Sequence, residues 1–217
     1  VALTHAQVLA NVDAIARAMA ERAPGVRSGV CWLPLYHDMG LIGCDFPALS
    51  REAQLTLIGP ELFVARPALW LRALSRYRGT ISPAPSFAYG LCLHRVTDAE
   101  MEGADLSEWR TALNGAEAVA PAVTRAFIER FSRWGFRPEA LTPVYGLSEA
   151  ALAVTFSALD RPFQTGRFAR EARARDGIAR EAADGREIVS VGRPVPGFRL
   201  RILDDAGREL PGGRIGR

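Results

Sequence analysis

The sequence predicts an α/β fold: a mainly parallel sheet layered with helices, followed by the start of a smaller β-rich subdomain. Short apolar runs alternate with segments in which apolar residues recur every three or four positions, and this alternation is typical of parallel strands covered by helices. Beyond Asp160 a polar stretch precedes short apolar runs separated by glycines. With 48% apolar and 24% charged residues, the composition is that of an ordinary globular domain.

The first predicted helix begins at a capping box, with Thr4 as the N-cap residue and Gln7 three positions later. Its apolar positions then recur at helical spacing: Val8, Val12, Ile15 and Met19. A buried strand is predicted over residues 30–35, and a short helix over residues 40–49.

Further strands are expected over residues 53–58, 80–82, 188–191 and 198–203. Further helices are expected after Pro67, from Ser86 to Leu93 and from Pro121 to Trp134. Gly135 is expected to end the last of these helices. A turn is predicted at residues 204–207.

The stretch Tyr145-Gly146-Leu147-Ser148-Glu149 follows an apolar run and precedes a helix-like run over residues 150–154. This layout predicts a strand, a tight turn at Gly146 and a helix that starts with Ser148 as its N-cap. A helix N-terminus favours an anion, a carboxylate such as Glu149 suits Mg²⁺, and an aromatic ring such as Tyr145 can stack on a base. The pattern indicates a nucleotide site; an ordinary strand-to-helix turn remains the alternative.

Two other segments contain candidate site residues. His37 and Asp38 follow the strand at residues 30–35, and they are candidates for an acid–base pair. We expect no direct contact between the two side chains, because neighbours on an extended segment point to opposite faces. A turn histidine bonded to the backbone is the alternative. The second segment, Asn114-Gly115-Ala116-Glu117, has small residues that let a flat ring approach the backbone, and a plain turn at a strand end is the other interpretation.

In this order and with this spacing, the segments resemble the acyl-adenylate-forming enzymes. Within that superfamily the chain is most similar to the fatty-acyl-AMP ligases, as part of their large N-terminal domain. The sequence motifs that favour this subgroup over typical acyl-CoA ligases are His37-Asp38-Met39-Gly40, Pro85-Ser86-Phe87-Ala88-Tyr89 and Val191-Gly192-Arg193-Pro194. The resemblance covers essentially the whole chain.

The resemblance implies a reaction in which a fatty carboxylate attacks the α-phosphorus of ATP, which gives acyl-AMP and pyrophosphate. It implies that Glu149 holds Mg²⁺ and that Ser148 contacts phosphate. Tyr145 would stack on adenine, within a turn that also contains Gly146 and Leu147.

The resemblance also implies roles for the other segments. Asn114, Gly115, Ala116 and Glu117 would border the adenine. His37, in a turn with Asp38 and Gly40, would position the substrate carboxylate. Phe87 and Tyr89 would lie along the acyl channel, although most aromatic residues at such positions belong to the core.

The implied partners are a fatty acid and the phosphopantetheine of an acyl carrier protein, with coenzyme A as the alternative acceptor. A non-catalytic, adenylation-like scaffold domain is a second alternative. The organisation we expect is an α/β subdomain over residues 1–160, a polar surface segment over 161–187 and the start of a β-rich subdomain over 188–217. Fatty-acyl-AMP ligases carry additional sequence near the polar segment.

The net charge is +3, and all 27 basic residues are arginines. The resembling enzymes use one lysine in a phosphate loop and another in a C-terminal domain, so we expect this chain to be an excised middle piece that is inactive alone. Charges of both signs alternate in residues 161–187, which argues against nucleic acid as a partner. Three scattered cysteines indicate buried thiols in a reducing, cytoplasmic setting. The sequence has no apolar run of about 18 residues, so no transmembrane segment is predicted.

Overall fold

The computed structural model describes residues 1–22, 28–171 and 177–217. Seven strands form one sheet in the order β2-β1-β3-β4-β5-β6-β9. The first five strands of that order are parallel to their neighbours, whereas β6 and β9 are antiparallel to theirs. These strands are β1 Ser28–Cys31, β2 Gln54–Leu57, β3 Ile81–Ala84, β4 Thr111–Asn114, β5 Leu141–Gly146, β6 Ala153–Phe156 and β9 Arg193–Pro194.

Helices alternate with the strands as predicted, and the helix over residues 60–65 is one that the sequence analysis did not predict. The helices are α1 His5–Arg22, α2 Asp38–Gly40, α3 Phe46–Ser50, α4 Pro60–Ala65, α5 Ala68–Arg76, α6 Ser86–Arg95 and α7 Pro121–Phe131. The capping box forms at the start of α1, where the backbone N–H of Thr4 donates to Gln7 Oε1 at 2.8 Å and that of Gln7 donates to Thr4 Oγ1 at 3.3 Å. Gly135, at φ 84°, ends the helical segment that contains α7.

Helices cover both faces of the sheet. Ala112 and Leu113 are neighbours on β4, yet they belong to separate buried clusters, because successive side chains of a strand point to opposite faces. The cluster around Ala112 contains residues of α5, α6 and α7, and the cluster around Leu113 contains Ile15 and Met19 of α1. The predicted fold class is therefore confirmed.

The larger cluster is rich in aromatic rings. Trp70 packs edge-on against Tyr89 and Trp109, with ring centroids 5.6 Å and 5.2 Å apart. Phe127 of α7 packs edge-on against Tyr89 at 5.0 Å. Edge-to-face pairs at these distances add to the stability that burial alone provides. This core fixes α5, α6 and α7 on one face of the sheet.

A π-helical turn, Leu41–Asp45, joins α2 to α3, so the segment from Asp38 to Ser50 is helical throughout. The short helix predicted over residues 40–49 is thereby confirmed, with a wider middle turn than an α-helix has. Gly40 is required at its position, because a Cβ atom there would lie 2.3 Å from the carbonyl oxygen of Pro34.

The prediction of a helix over residues 150–154 is wrong. The chain instead turns back at residues 147–152, and β6 pairs antiparallel with β5, with a bulge between Tyr145 and Gly146. Leu147 donates its backbone N–H to the carbonyl oxygen of Leu152 at 2.8 Å. A Cβ atom on Gly146 would lie 2.0 Å from that same oxygen. Pairing with β5 therefore overrides the local helical preference of this alanine-rich run.

Three other expectations need correction. The strand expected over residues 80–82 ends later than predicted, because β3 continues through Ala84 in register with β4. Residues 198–203 form no strand; Leu203 makes only an isolated bridge with Glu209. The segment expected as a polar surface stretch contains β7 Thr165–Phe168, which pairs antiparallel with β8 Arg186–Val189. The expected boundary at 187/188 thus falls inside β8, and residues 172–176 lie outside the described residues.

Candidate functional site

Two cavities lie beside the carboxyl ends of β4 and β5, where open α/β sheets commonly bind ligands. The first, here named the inner cavity, has a volume of about 330 Å³. The second, named the outer cleft, has a volume of about 320 Å³. Ala116, Val144, Tyr145 and Gly146 border both. The two spaces therefore meet at the turn that the sequence singled out.

The inner cavity has an apolar body and a polar end. Its apolar lining comes from α1, the π-helical turn and the sheet, as Ile15, Gly43, Leu113, Leu152 and Phe156. Its polar lining comes from two turns, as His37, Asp38, Ser148 and Glu149. A space of this kind suits a molecule with an apolar chain and a charged head.

The outer cleft lies between two short segments of the chain. Residues 116–119 form one border and residues 186–189 of β8 form another. Tyr145 is about half exposed between the two cavities. A flat, partly polar group fits between these borders and the Tyr145 ring.

His37 and Asp38 are in direct contact, which the sequence argument did not expect. Nδ1 of His37 lies 2.8 Å from Asp38 Oδ1. His37 is the N-cap residue of α2, at φ −103° and ψ 139°, and Asp38 is already helical. The prediction of opposite faces is wrong because the backbone leaves the extended conformation between these two residues.

Ser148 does not act as an N-cap, which corrects the prediction. It is the first residue of a three-residue 3₁₀ turn, Ser148–Ala150, and the N-cap position belongs to Leu147. Ala151 follows at φ 68° and leads into β6. Within residues 147–156, which the structure describes, no α-helix N-terminus stands behind Ser148 to receive a phosphate. The Ser148 hydroxyl instead donates to Asp38 Oδ2 at 2.7 Å.

The segment Asn114-Gly115-Ala116-Glu117 is only partly accessible. Asn114 is fully buried, and neither polar atom of its side chain has a hydrogen-bond partner among the residues that the structure describes. Gly115 lies against β5, since a Cβ atom there would be 2.7 Å from Val144 Cγ2. Ala116 and Glu117 border the outer cleft, and Glu117 Oε1 accepts the backbone N–H of Phe87 at 2.7 Å.

Phe87 and Tyr89 are not part of the inner cavity. Phe87 is half exposed and packs edge-on to Trp32, with ring centroids 6.0 Å apart. Tyr89 is fully buried, and its hydroxyl donates to the carbonyl oxygen of Leu113 at 3.0 Å. The position of Tyr89 corrects the expectation of an acyl-channel role for this residue, because α6 turns it into the aromatic core. The role of Phe87 stays a prediction. Gly40 likewise packs against Pro34 and does not line the cavity.

Asn11 is a residue that the sequence analysis missed. Its side chain is buried in α1; its Nδ2 donates to the carbonyl oxygen of Ala153 at 2.8 Å and its Oδ1 accepts the N–H of Ala153 at 3.0 Å. This pair of bonds holds α1, with Ile15, against β6 at the inner cavity. The signal in the sequence is a polar residue three positions after Val8, on the apolar face of the helix.

The three cysteines are absent from the lining of both cavities. Cys31, Cys44 and Cys92 are free and buried. A hydrogen bond with Cys31, together with burial, raises the pKa of the Cys44 thiol well above its ordinary value. Burial also raises the pKa of the Cys92 thiol. Neither of these two thiols is therefore activated as a thiolate nucleophile.

The carboxylates of the site fit a magnesium ion that is shared with a ligand. Among the described residues, no group of three or more histidine, cysteine, aspartate and glutamate side chains could hold a metal on its own. Mg²⁺, however, is commonly bound by one or two carboxylates together with substrate phosphates. Glu149 is exposed at the polar end of the inner cavity and can serve as such a carboxylate.

In residues 1–22, 28–171 and 177–217, no helix has both the length and the apolar character needed to cross a membrane.

A helix-covered sheet with two joined cavities at its strand ends is the architecture of a ligand-binding α/β domain. The AMP-binding enzyme family matches residues 1–217, and the chain belongs to that family. It is 34% identical over 221 residues to a putative acyl-CoA synthetase of Caulobacter vibrioides, covering 100% of this chain and 38% of the relative.

Two further similarities extend the comparison. The chain is 35% identical over 209 residues to a medium-chain-fatty-acid–[acyl-carrier-protein] ligase of Moorena producens, covering 94% of this chain and 35% of the relative. A crystal structure of a fatty acyl-adenylate ligase from L. pneumophila, in complex with acyl adenylate and pyrophosphate, superposes with a TM-score of 0.93. That match has 34% identity and covers 100% of this chain and 38% of the other. The chain thus spans less than two fifths of the length of these relatives.

Proposed function

We propose that this chain is part of an enzyme that activates a fatty acid with ATP, forming acyl-AMP and pyrophosphate. The observation that carries the proposal is the junction at Tyr145, where an apolar cavity with a polar end meets a second cleft. An acyl-adenylate has this same division, because an apolar chain and a nucleotide are joined through one phosphate. The similarity to the fatty acyl-adenylate ligase from L. pneumophila supports it.

The inner cavity would take the fatty acid. Its lining is mostly apolar, and burial of each methylene group contributes about 0.8 kcal/mol. The substrate carboxylate would lie at the polar end, beside His37. A fully apolar site would leave that charge unpaired, which is costly, so the polar end also orients the chain.

The outer cleft would take the adenosine. The Tyr145 ring would stack on adenine, and the backbone at Ala116 and Glu117 would border it. Ser148 and Glu149 would face the phosphates from the polar end of the inner cavity. Mg²⁺ held by Glu149 would neutralise phosphate charge when it is bound.

In the reaction, a carboxylate oxygen would form a bond to the α-phosphorus while the bond to the bridging oxygen of pyrophosphate breaks. The chain's own residues would do little covalent chemistry. They would hold the two reactants in line and stabilise the developing charge, and such positioning accounts for much of the rate in reactions of this kind. His37 would hold the carboxylate, and no proton transfer is required of it.

We assign the acyl acceptor to the phosphopantetheine of a carrier protein. The similarity to the carrier-protein ligase of Moorena producens supports this assignment. The similarity to the putative acyl-CoA synthetase of Caulobacter vibrioides favours coenzyme A as the competing acceptor. We also place the enzyme in the cytoplasm, a proposal that rests on its three free, buried thiols.

The test is fatty-acid-dependent ATP–pyrophosphate exchange by the complete natural chain across a series of acids. We expect exchange with fatty acids and transfer of the product to a carrier protein. Absence of exchange with every acid would favour a scaffold role. Equal rates of acyl-CoA and acyl-AMP formation would instead assign an acyl-CoA ligase.

A further inference from the structure

The Asp38 carboxylate connects two turns that are far apart in the sequence. Its Oδ1 lies 2.8 Å from Nδ1 of His37, and its Oδ2 accepts the hydroxyl of Ser148 at 2.7 Å. Ser148 is 110 positions further along the chain. The Asp38 side chain is only 19% exposed, whereas its partners His37 and Ser148 are exposed at the surface. One carboxylate thus joins the turn after β1 to the turn after β5.

The side chains of His37 and Asp38 share one backbone donor. Asp38 Oδ1 accepts the backbone N–H of Met39 at 2.8 Å, and His37 Nδ1 accepts the same N–H at 3.1 Å. Because Nδ1 caps α2 in this way, the imidazole is held against the first turn of that helix, beside the Asp38 carboxylate. The ring edge with Nε2 is then the part of the side chain that can meet a ligand.

The contact with Asp38 limits the hydrogen bonds that the Ser148 hydroxyl can make to a ligand. The hydroxyl donates its only hydrogen to Asp38, so its oxygen has only lone pairs left for a ligand. Phosphate oxygens are acceptors and cannot bond to those lone pairs. A phosphate contact by Ser148 would therefore require loss of the Asp38 bond. While the bond exists, Ser148 ties its turn, which also carries Glu149, to Asp38.

We propose that Asp38 is a positioning residue that holds the His37 turn and the Ser148–Glu149 turn at a fixed separation. This inference rests on the proposed function, in which the first turn holds the fatty carboxylate and the second holds the magnesium and phosphates. Both Asp38 oxygens are occupied by protein donors, so Asp38 acts through its two neighbours and not as a ligand of the substrate. Without the Asp38 contacts, the two turns and the reactants bound to them would no longer be held at this separation. A displacement of about 1 Å can lower the rate roughly 100-fold.

The test compares Asp38→Ala, Asp38→Asn, Ser148→Ala and the double variant Asp38→Ala/Ser148→Ala in the complete natural chain. In Asp38→Asn the amide oxygen can accept from Met39 while the amide nitrogen donates to Ser148 Oγ, so the contact between the two turns persists without charge. Asp13→Ala is the matched control, because Asp13 also joins two segments, α1 and the end of α3, through its ion pair with Arg51 on the exposed side of α1.

We expect Asp38→Ala to lower kcat for pyrophosphate exchange by roughly 10- to 100-fold, with smaller changes in KM. Asp38→Asn should stay within about threefold of the wild type, and the double variant should be no slower than the slower single variant, because the two residues act as a unit. Asp13→Ala should leave both constants unchanged. Additive losses in the double variant, or an Asp38→Asn variant as slow as Asp38→Ala, would overturn the proposal.

A second readout does not depend on activity. Amide hydrogen exchange at residues 147–150 should become faster in Asp38→Ala and stay at the wild-type rate in Asp38→Asn. Unchanged exchange in Asp38→Ala would also overturn the proposal. If the wild type makes no acyl-adenylate, the proposed function fails. The hydrogen-exchange measurement still decides whether Asp38 holds the two turns together.

Discussion

Arg125 on α7 forms an ion pair with Glu187 on β8, with 2.5 Å between Arg125 Nη2 and Glu187 Oε2. Thr165 on β7 donates its hydroxyl to the other carboxylate oxygen of Glu187 at 2.8 Å. The next two residues of β8, Ile188 and Val189, border the outer cleft. Glu187 itself lines this cleft, so its two contacts set the position of one border of the proposed adenosine site.

Replacement of Arg125 by alanine should loosen this border. We expect KM for ATP to rise roughly two- to fivefold while kcat stays unchanged, since exposed ion pairs contribute little individually. The control is Arg133→Ala, which removes another exposed ion pair, with Asp98, far along the same helical segment. Equal KM values in Arg125→Ala and the wild type would show that the hairpin keeps its position without the pair.

The same pair predicts a pH dependence. The hydrogen bond from Arg125, followed by that from Thr165, lowers the pKa of Glu187 below its ordinary value of 4.5. A lowered pKa in the folded state stabilises the hairpin contact above pH 4.5, and this contribution is lost as the pH falls through the folded-state pKa. NMR titration of the Glu187 carboxyl should give a pKa below 4.5 in the wild type and a higher pKa in Arg125→Ala, where the hydrogen bond from Thr165 remains.

Glu149→Gln should test the proposed magnesium ligand. Removal of one preorganised group that stabilises charge typically costs about 10²–10³-fold in kcat, and we expect a loss of that size together with a weaker dependence on Mg²⁺. Glu149 is exposed, so the melting temperature should not change. Glu102→Gln, at another exposed carboxylate outside both cavities, is the control. Wild-type turnover in Glu149→Gln would remove this residue from the site.

Gly43 and Leu152 should determine how long an acyl chain the inner cavity accepts. A Cβ atom on Gly43 would lie 2.9 Å from Leu152 Cδ2, and both residues line the cavity. We expect Gly43→Val to shift the preferred acid towards shorter chains and Leu152→Ala to shift it towards longer ones. Exchange rates across a series of saturated acids would show both shifts. Opposite or absent shifts would place the acyl chain elsewhere.

Tyr89→Phe separates a core role from a substrate role. The variant leaves the buried carbonyl oxygen of Leu113 without its side-chain donor, which we expect to cost about 1–3 kcal/mol of unfolding free energy. Because Tyr89 lies outside the inner cavity, kcat and KM for the fatty acid should not change at a temperature where the variant is folded. A change in chain-length preference would return Tyr89 to the substrate site.

The sequence was sufficient to predict the features that depend on local patterns. The capping box of Thr4 and Gln7 forms, and the alternation of strands and helices is confirmed, because each of these depends on residues a few positions apart. The helix expected over residues 150–154 was wrong because its alanines favour a helix locally, whereas pairing of Thr155 with Tyr145 is a contact between two strands.

The site was predictable only in part, for the same reason. The motifs identified His37, Tyr145, Ser148 and Glu149, which the structure brings to the two cavities. The hydrogen bond between Asp38 and Ser148 joins residues 110 positions apart, and no periodic pattern in the sequence predicts a contact between residues so distant. The helical spacing of apolar residues indicated that Ile15 lies on the apolar face of α1, but spacing alone could not show that this residue lines a cavity.

The hairpin of β5 and β6 restricts how this site can diverge during evolution. Thr155 and Phe156 of β6 pair with Tyr145 and Val144 of β5 on one side and with β9 on the other. Insertion or deletion of one residue at 147–152 would shift this register and exchange the faces of Thr155 and Phe156, so that Phe156 would leave the inner cavity. Descendants with other substrates should therefore differ in the side chains of this turn and keep its length.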